Sequence, residues 1–384
     1  MRLPLLLLFA SALVVCAEDA RTSALDKARS ELRAMWSGGR AVGDGTVRLT
    51  RFPLDIADLG EVHPMGVQVG GHVLPSSHAG IRAKDADTPK GRYAVHAPAD
   101  GFLVQVQHRV ALAGSTEKAR EYDDWRLVFE HSRTSYTYID LIRVIEPDLA
   151  EVVGPMEEGG TAQVRIPVKA GQVVGRMGGN RGLDFGAVDL SSEAKGFAHA
   201  EDYATSEAWR LFCVDPFGLY DDPLRGEILA RDARTAEPRG GEVACDVDGK
   251  LQGGWFLEGT GLYAGKRDPR GYWIGHLHIG RHYIATDRLF IAIGDWEGKP
   301  MQFGVKGDAP DPSGVGVESG EVRIELTMAV RPSGSDPFAG SDGRVVGVML
   351  VQLVDARRLR VELFPGKAAQ DVDGFTSAAR MYER

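Results

Sequence analysis

Short apolar runs separated by turn residues recur along most of this chain, and they restrict it more than any other feature. FLVQVQ (102–107) alternates residue by residue, as does much of SYTYIDLIRV (135–144). WRLVFEH (125–131), VRIPVKAGQVVGRMGG (164–179) and LDFGAVDL (183–190) follow the same plan. From Gly240 the pattern resumes in GGWFLEG, YWIGHLHIG, RLFIAIGDW, VRIELTMAV, VVGVMLVQLV and RLRVELF. Period-two runs bounded by ADG (99–101), KAGQ (169–172) and similar turns predict half-buried antiparallel strands, not helices. Glycine at 48 of 384 residues supplies the turns such a fold needs. The expected class is therefore mainly β.

One helix is expected. Residues 22–36 place Leu25, Ala28, Leu32 and Met35 at three- and four-residue spacing, and SGGR (37–40) stops the pattern. Before it, MRLPLLLLFASALVVCA carries one arginine, an apolar run and small residues, the pattern of a secretory leader ending at Ala17. Lipidation of Cys16 is the alternative, with Val15 in a position that prefers a small residue. The expected location is secreted or periplasmic, with no membrane-spanning segment in the mature chain. The expected organisation is a leader at 1–17, helix and connector at 18–45, a first β domain at 46–205, a linker at 206–239 and a C-terminal β barrel or sandwich at 240–384. Residues 145–163 and GSDPFAGSDGR (334–344) read as loops.

The formal net charge is −9, and loss of residues 1–17 makes it one unit more negative. No basic cluster is present to displace counterions from phosphates, so nucleic acid is excluded as a partner. Cys213 and Cys245 would remain, and in an oxidising compartment they could form a disulfide or stay as two separate thiols. His276, His278 and His282 stand at i, i+2 and i+6, facing one way if the run is a single strand. Gly280 is expected to break that strand, leaving ordinary hydrogen-bonded histidines as the default over a metal site. DFG (184–186) lacks every other kinase element. GGNRG (178–182) opens no helix, and Ser76 and Ser77 are too close in sequence to His78 to serve it as a nucleophile. The aromatics Trp255, Phe256, Tyr263, Tyr272, Trp273 and Trp296 read first as core, with a stacking platform as the alternative.

GGHVLPSSHAGI, YAVHAPADGFLVQVQ, WRLVFEHSRTSYTYIDLIRV, VKAGQVVGRMGG and LDFGAVD, in that order over roughly residues 70–190, resemble the lysostaphin-type (LytM-type) zinc endopeptidases. The flanking LFCVDPFGLYDDPL resembles secreted bacterial proteins that carry a degenerate member of this fold. The resemblance implies an antiparallel sheet, a groove across it and a peptidoglycan-like envelope polymer or peptide as partner. It also implies zinc held by two histidines and a carboxylate. Carried over, His78 matches the first ligand, and the ligand aspartate falls on Arg82. The Y-x-H-L histidine falls on Asp140, and the H-x-H pair falls on Gly182 and Asp184. A guanidinium repels a dication, so the expected reading is a metal-depleted, non-catalytic binding protein without cofactor. Arg82 is expected to pair with Asp140 or Asp184, and His72 is a further groove candidate. The alternative is an active zinc endopeptidase with a rearranged set of His78, Asp184 and Asp140 or His72.

Overall fold

The computed structural model describes residues 22–36, 43–85, 88–110, 123–179, 182–204, 206–265, 268, 270–307, 309–330 and 340–384. The leader with Cys16, the SGGR stop, Asn180 and Arg181 of GGNRG, and 334–339 of the predicted loop lie outside these residues. The chain is mainly β, as its alternation requires. In the first half run β1 (Leu59–His63), β2 (Ala79–Ala83), β3 (Tyr93–His96), β4 (Gly101–Val110), β5 (Asp123–Glu130), β6 (Ser135–Ile142) and β7 (Val144–Ile145). They are followed by β8 (Thr161–Val168), β9 (Val173–Met177), β10 (Leu183–Asp189) and β11 (Cys213–Val214). An antiparallel sheet orders them β1-β2-β10-β6-β5-β4-β8, with β11 on the side of β10, and β3-β9-β7 forms a second sheet.

Strand alternation gives the large sheet two different faces. Ile81, Leu103, Val106, Leu127, Phe129, Ile139 and Phe185 point to one side, where they pack with Val95, Val174 and Met177 of the small sheet. Each such side chain contributes about 1.5–3 kcal/mol on burial. The other face is covered at one end by helix α1 (residues 22–36) and the segment after β10. Ala28 and Leu32 are buried and Leu25 packs against them as the spacing suggested, but at the end of α1 Trp36 takes the inward place and Met35 is 39% exposed. The other end of that face looks across a cavity to the 207–210 segment and the barrel.

Residues 253–383 close an antiparallel barrel of β12 (Gly253–Leu257), β13 (His276–Arg281), β14 (Leu289–Trp296), β15 (Lys299–Val305), β16 (Val322–Val330), β17 (Gly340–Asp355), β18 (Arg358–Pro365) and β19 (Arg380–Glu383). Eight strands leave an interior that side chains fill, and Trp255, Leu277, Ile291, Phe303, Met349 and Leu359 fill it here. Arg384 caps this core, donating to the carbonyls of Gln252 (2.8 Å), Val247 (3.1 Å) and Lys250 (2.7 Å) with its guanidinium 4.0 Å from the Trp255 ring centroid. The barrel is therefore a packed body, and a ligand site has to lie outside it.

Several segments differ from expectation. Residues 145–163 contain helix α2 (Pro147–Val153), which buries Leu149, and 340–344 belong to β17. The predicted linker 206–239 buries Arg210, Leu211, Phe212 and Phe217 and carries helix α3 (Leu224–Leu229), so it is packed structure. Among the described residues no helix is long and apolar enough to cross a membrane.

Candidate functional site

The cavity-facing side of the sheet is built by register. In β6 the alternation that sends Thr137 and Ile139 to one side sends Tyr136, Tyr138 and Asp140 to the other. Cross-strand partners then line up side by side. Thr161 lies opposite Gln107 and Gln107 opposite Arg126. Arg126 reaches Asp140, Asp140 lies opposite Asp184, Asp184 opposite Gly80, and Gly80 opposite His63. At about 4.8 Å per strand step this polar row runs about 29 Å across the sheet. Beside the row, Gly186 leaves space that a side chain would take. It faces Tyr138, and a Cβ there would fall inside the Tyr138 ring. Gly186→Ala is expected to displace Tyr138 and cost about 1–3 kcal/mol by overpacking, read as a lower denaturation midpoint.

Over the β1–β6 end of the row lies a cavity of about 850 Å³, roofed by the 207–210 segment and the outer surface of the barrel. Asp140, 2% exposed, sits at its base. Its carboxylate accepts from Arg126 Nε and Nη2 (both 2.6 Å) and from Arg109 Nη1 (3.1 Å), while Arg109 Nε also donates to Asp124 (2.8 Å). Burial opposes ionisation of Asp140, but the two guanidiniums outweigh it and hold the carboxyl below its ordinary value. Asp184 has no such partner. Burial, and then the Asp140 charge, push its carboxyl up to about 7. His78 Nδ1 stands 3.5 Å from Asp184 Oδ1, without a hydrogen-bond partner, and burial pulls its imidazole down to about 4. Between those values the carboxyl carries the proton and the imidazole is neutral.

The roof is aromatic and charged. Tyr263 Oη donates to Glu207 Oε2 (2.6 Å), and the Arg210 guanidinium lies 5.2 Å from the Tyr263 ring centroid. Tyr272, 40% exposed, and Trp209 line the same cavity. Two lining residues carry left-handed backbone without being glycine, Leu141 (φ 67°) and Glu207 (φ 50°). Such conformations cost about 1–3 kcal/mol and gather at ligand sites.

His72, His78, Arg82, Asp140, Asp184 and Gly182 all line this cavity, so the structure brings the groove candidates together. The ion pair expected of Arg82 is corrected. Arg82 lies 3.9 Å from Glu61 at the edge of the sheet, and the cations on Asp140 come instead from the neighbouring strands β5 and β4. Glu61 also meets His63 Nε2 at 2.7 Å, and His63 Nδ1 meets Tyr283 Oη at 3.0 Å. Neither serine near His78 acts on it. Ser76 Oγ donates to the His78 carbonyl, and Ser77 Oγ lies 3.4 Å from Tyr138 Oη. Of the two alternatives for the cysteines, the structure has the separate thiols. Both thiols are free, Cys213 beside the Trp209 carbonyl and Cys245 beside His278 Nε2, each at 3.4 Å. β13 does not break at Gly280, whose missing Cβ leaves room for the His278 ring. His276 and His278 point out of the barrel; His276 stacks on Tyr263 within the cavity, while His278 and His282 line a separate one of about 260 Å³. Sequence reasoning missed Arg109, Arg126, Glu207, Arg210 and Tyr283. The available signal was an arginine inside each of the apolar strand runs β4 and β5.

A hydrolytic zinc needs three protein ligands and an open position. Both oxygens of Asp140 are taken by guanidiniums, which leaves His78, Asp184 and the more distant His72. Among the described residues no group of three or more His, Cys, Asp or Glu side chains converges to hold a metal ion. The residues present therefore do not fit a zinc centre. No protein-family model matches the chain, nor does any curated protein sequence. Among solved structures, a zinc-containing peptidase from Vibrio cholerae is 18% identical over 38% of this chain and 40% of its own, with a TM-score of 0.20. Lysostaphin is 10% identical over 87% of this chain and 90% of its own, with a TM-score of 0.25. Likeness at that level is weak and decides nothing about chemistry.

Proposed function

We propose that this chain is a non-catalytic binding protein of the cell envelope, secreted or periplasmic, which holds a peptide-bearing glycan in the cleft between sheet and barrel. The observation that carries the reading is the Arg126–Asp140–Arg109 cluster at the base of the cleft. Where the sequence resemblance places a catalytic histidine, the chain has instead a buried carboxylate with both oxygens engaged. A cavity with guanidinium, carboxyl and tyrosine groups on facing walls suits a ligand that bears charges of both signs beside apolar ring faces.

The test combines elemental analysis of the purified protein, a turbidity assay on cell-wall sacculi with and without chelator, and co-sedimentation with the same sacculi. Sedimentation with sacculi, without stoichiometric zinc and without lysis, is the expected result. Stoichiometric zinc with chelator-sensitive lysis would overturn the proposal in favour of a peptidase, and absence of both lysis and sedimentation would overturn it outright.

A further inference from the structure

A second cavity of about 380 Å³ opens on the same sheet face, toward the β4 and β8 edge, and shares Arg126, Tyr138 and Trp209 with the large one. The two are neighbouring segments of the polar row described above. Their chemistry differs. The large cavity is ionic, whereas the small one is walled by Gln105, Gln107, Gln163 and Thr161 and by the rings of Trp36 and Trp209. The residues are held in place by pairing, with Gln105 opposite Gln163 and Gln107 opposite Thr161. A bulge between Leu103 and Gln105 puts Val104 and Gln105 on the same side, which brings the amides into step with Arg126. Trp36 lies 6.2 Å from Trp209, ring centroid to centroid, and the Arg126 guanidinium lies 5.8 Å from the Trp209 ring, so the indoles are fixed by packing.

We propose that this small cavity is a saccharide subsite that takes an uncharged acetamido sugar, with the charged part of the same ligand lying in the large cavity. The inference rests on the binding-protein reading above and names the half of the ligand that each cavity receives. A primary amide offers one acceptor and two donors, the complement of an acetamido group with its carbonyl and N–H. Indole faces cover the apolar C–H side of a pyranose ring at little entropic cost. Among the described residues, the only charged group of this pocket's lining is the Arg126 guanidinium, already held by Asp140, so the remaining wall of amide, hydroxyl and ring groups favours an uncharged ligand over a charged peptide side chain. The straight cross-strand row sets the direction of the polymer, at right angles to the strands.

The probes are a soluble β-1,4-linked N-acetylglucosamine tetramer, without peptide, and a soluble stem peptide, without sugar, each titrated calorimetrically into the full chain. The variants are Gln107→Ala and Thr161→Ala, with Tyr272→Ala in the large cavity as the contrast. The tetramer is expected to bind, and each small-cavity variant to weaken it about three- to tenfold, as loss of one hydrogen bond implies. Stem-peptide affinity and the denaturation midpoint should stay unchanged in those two variants. Binding of sacculi and stem peptide but not of the tetramer would overturn the saccharide subsite and leave the binding-protein reading standing. Failure of sacculi and both probes would overturn the two together. Tetramer binding weakened by Tyr272→Ala but untouched by the small-cavity variants would place the sugar in the wrong cavity and also overturn the assignment.

Discussion

Asp140→Asn should lower the stability of the sheet domain by about 3–5 kcal/mol, the cost of leaving buried guanidiniums without their counter-charge. The asparagine keeps the shape and still accepts one hydrogen bond, so the loss isolates charge from packing. Arg126 suffers most, because among the described residues its carboxylate partner is Asp140, whereas Arg109 keeps Asp124 at 2.8 Å. The double variant Arg126→Met, Asp140→Leu should recover most of the loss, since replacing a whole buried ion pair by apolar groups of similar volume is often neutral or better. Urea unfolding of the two variants beside the parent reads both effects. A midpoint unmoved by Asp140→Asn would mean that the carboxylate is not gripped as the structure places it.

The same residue shows how far the sequence could be read. That Asp140 stands in a strand followed from alternation, and that it shares a site with His78 and Asp184 followed from the order of the blocks. Its partners did not follow. Arg126 is 14 residues away and Arg109 is 31, and they reach Asp140 through the pairing of β4, β5 and β6, in which β5 and β6 shift register between Trp125 and Leu127. A shift of one residue reverses which face a side chain occupies, and no local pattern announces it. Charge reasoning therefore points to Arg82, the nearest cation to the metal-type motif, which lies on β2 beside Glu61 of the edge strand β1. The barrel histidines show another limit of sequence reading. Alternation puts His276 and His278 on one face of a strand that runs on through Gly280, and that face is buried against the first half of the chain, which leaves no periodic trace. The roof residues Glu207 and Arg210 lay in a segment whose turn residues read as a linker, and only packing made them walls of a cavity.

Asp184 and His78 give the second large effect, and its sign changes between variants. Asp184 stands near 7 in the folded chain against an ordinary value of 3.8. Between these values the folded state holds a proton that the unfolded state has lost, so this group makes stability fall as pH rises through the window and level off above about 7. His78 stands near 4 against an ordinary 6.5, so below 6.5 the unfolded state takes the extra proton and stability rises with pH from about 4 to 6.5. The two slopes oppose each other over that range, and the parent protein should be nearly flat there as far as this pair is concerned. Asp184→Asn removes the falling limb, so its advantage over the parent should be small at pH 4 and grow to about 4 kcal/mol by pH 8. His78→Gln removes the rising limb and should do the reverse, gaining on the parent only as pH drops toward 4. Denaturant midpoints measured at intervals from pH 4 to 8 separate the cases. Parallel pH profiles for all three proteins would show that neither group is desolvated in the folded state, and that the cleft is a wetter and more open place than a pocket that grips one end of a polymer.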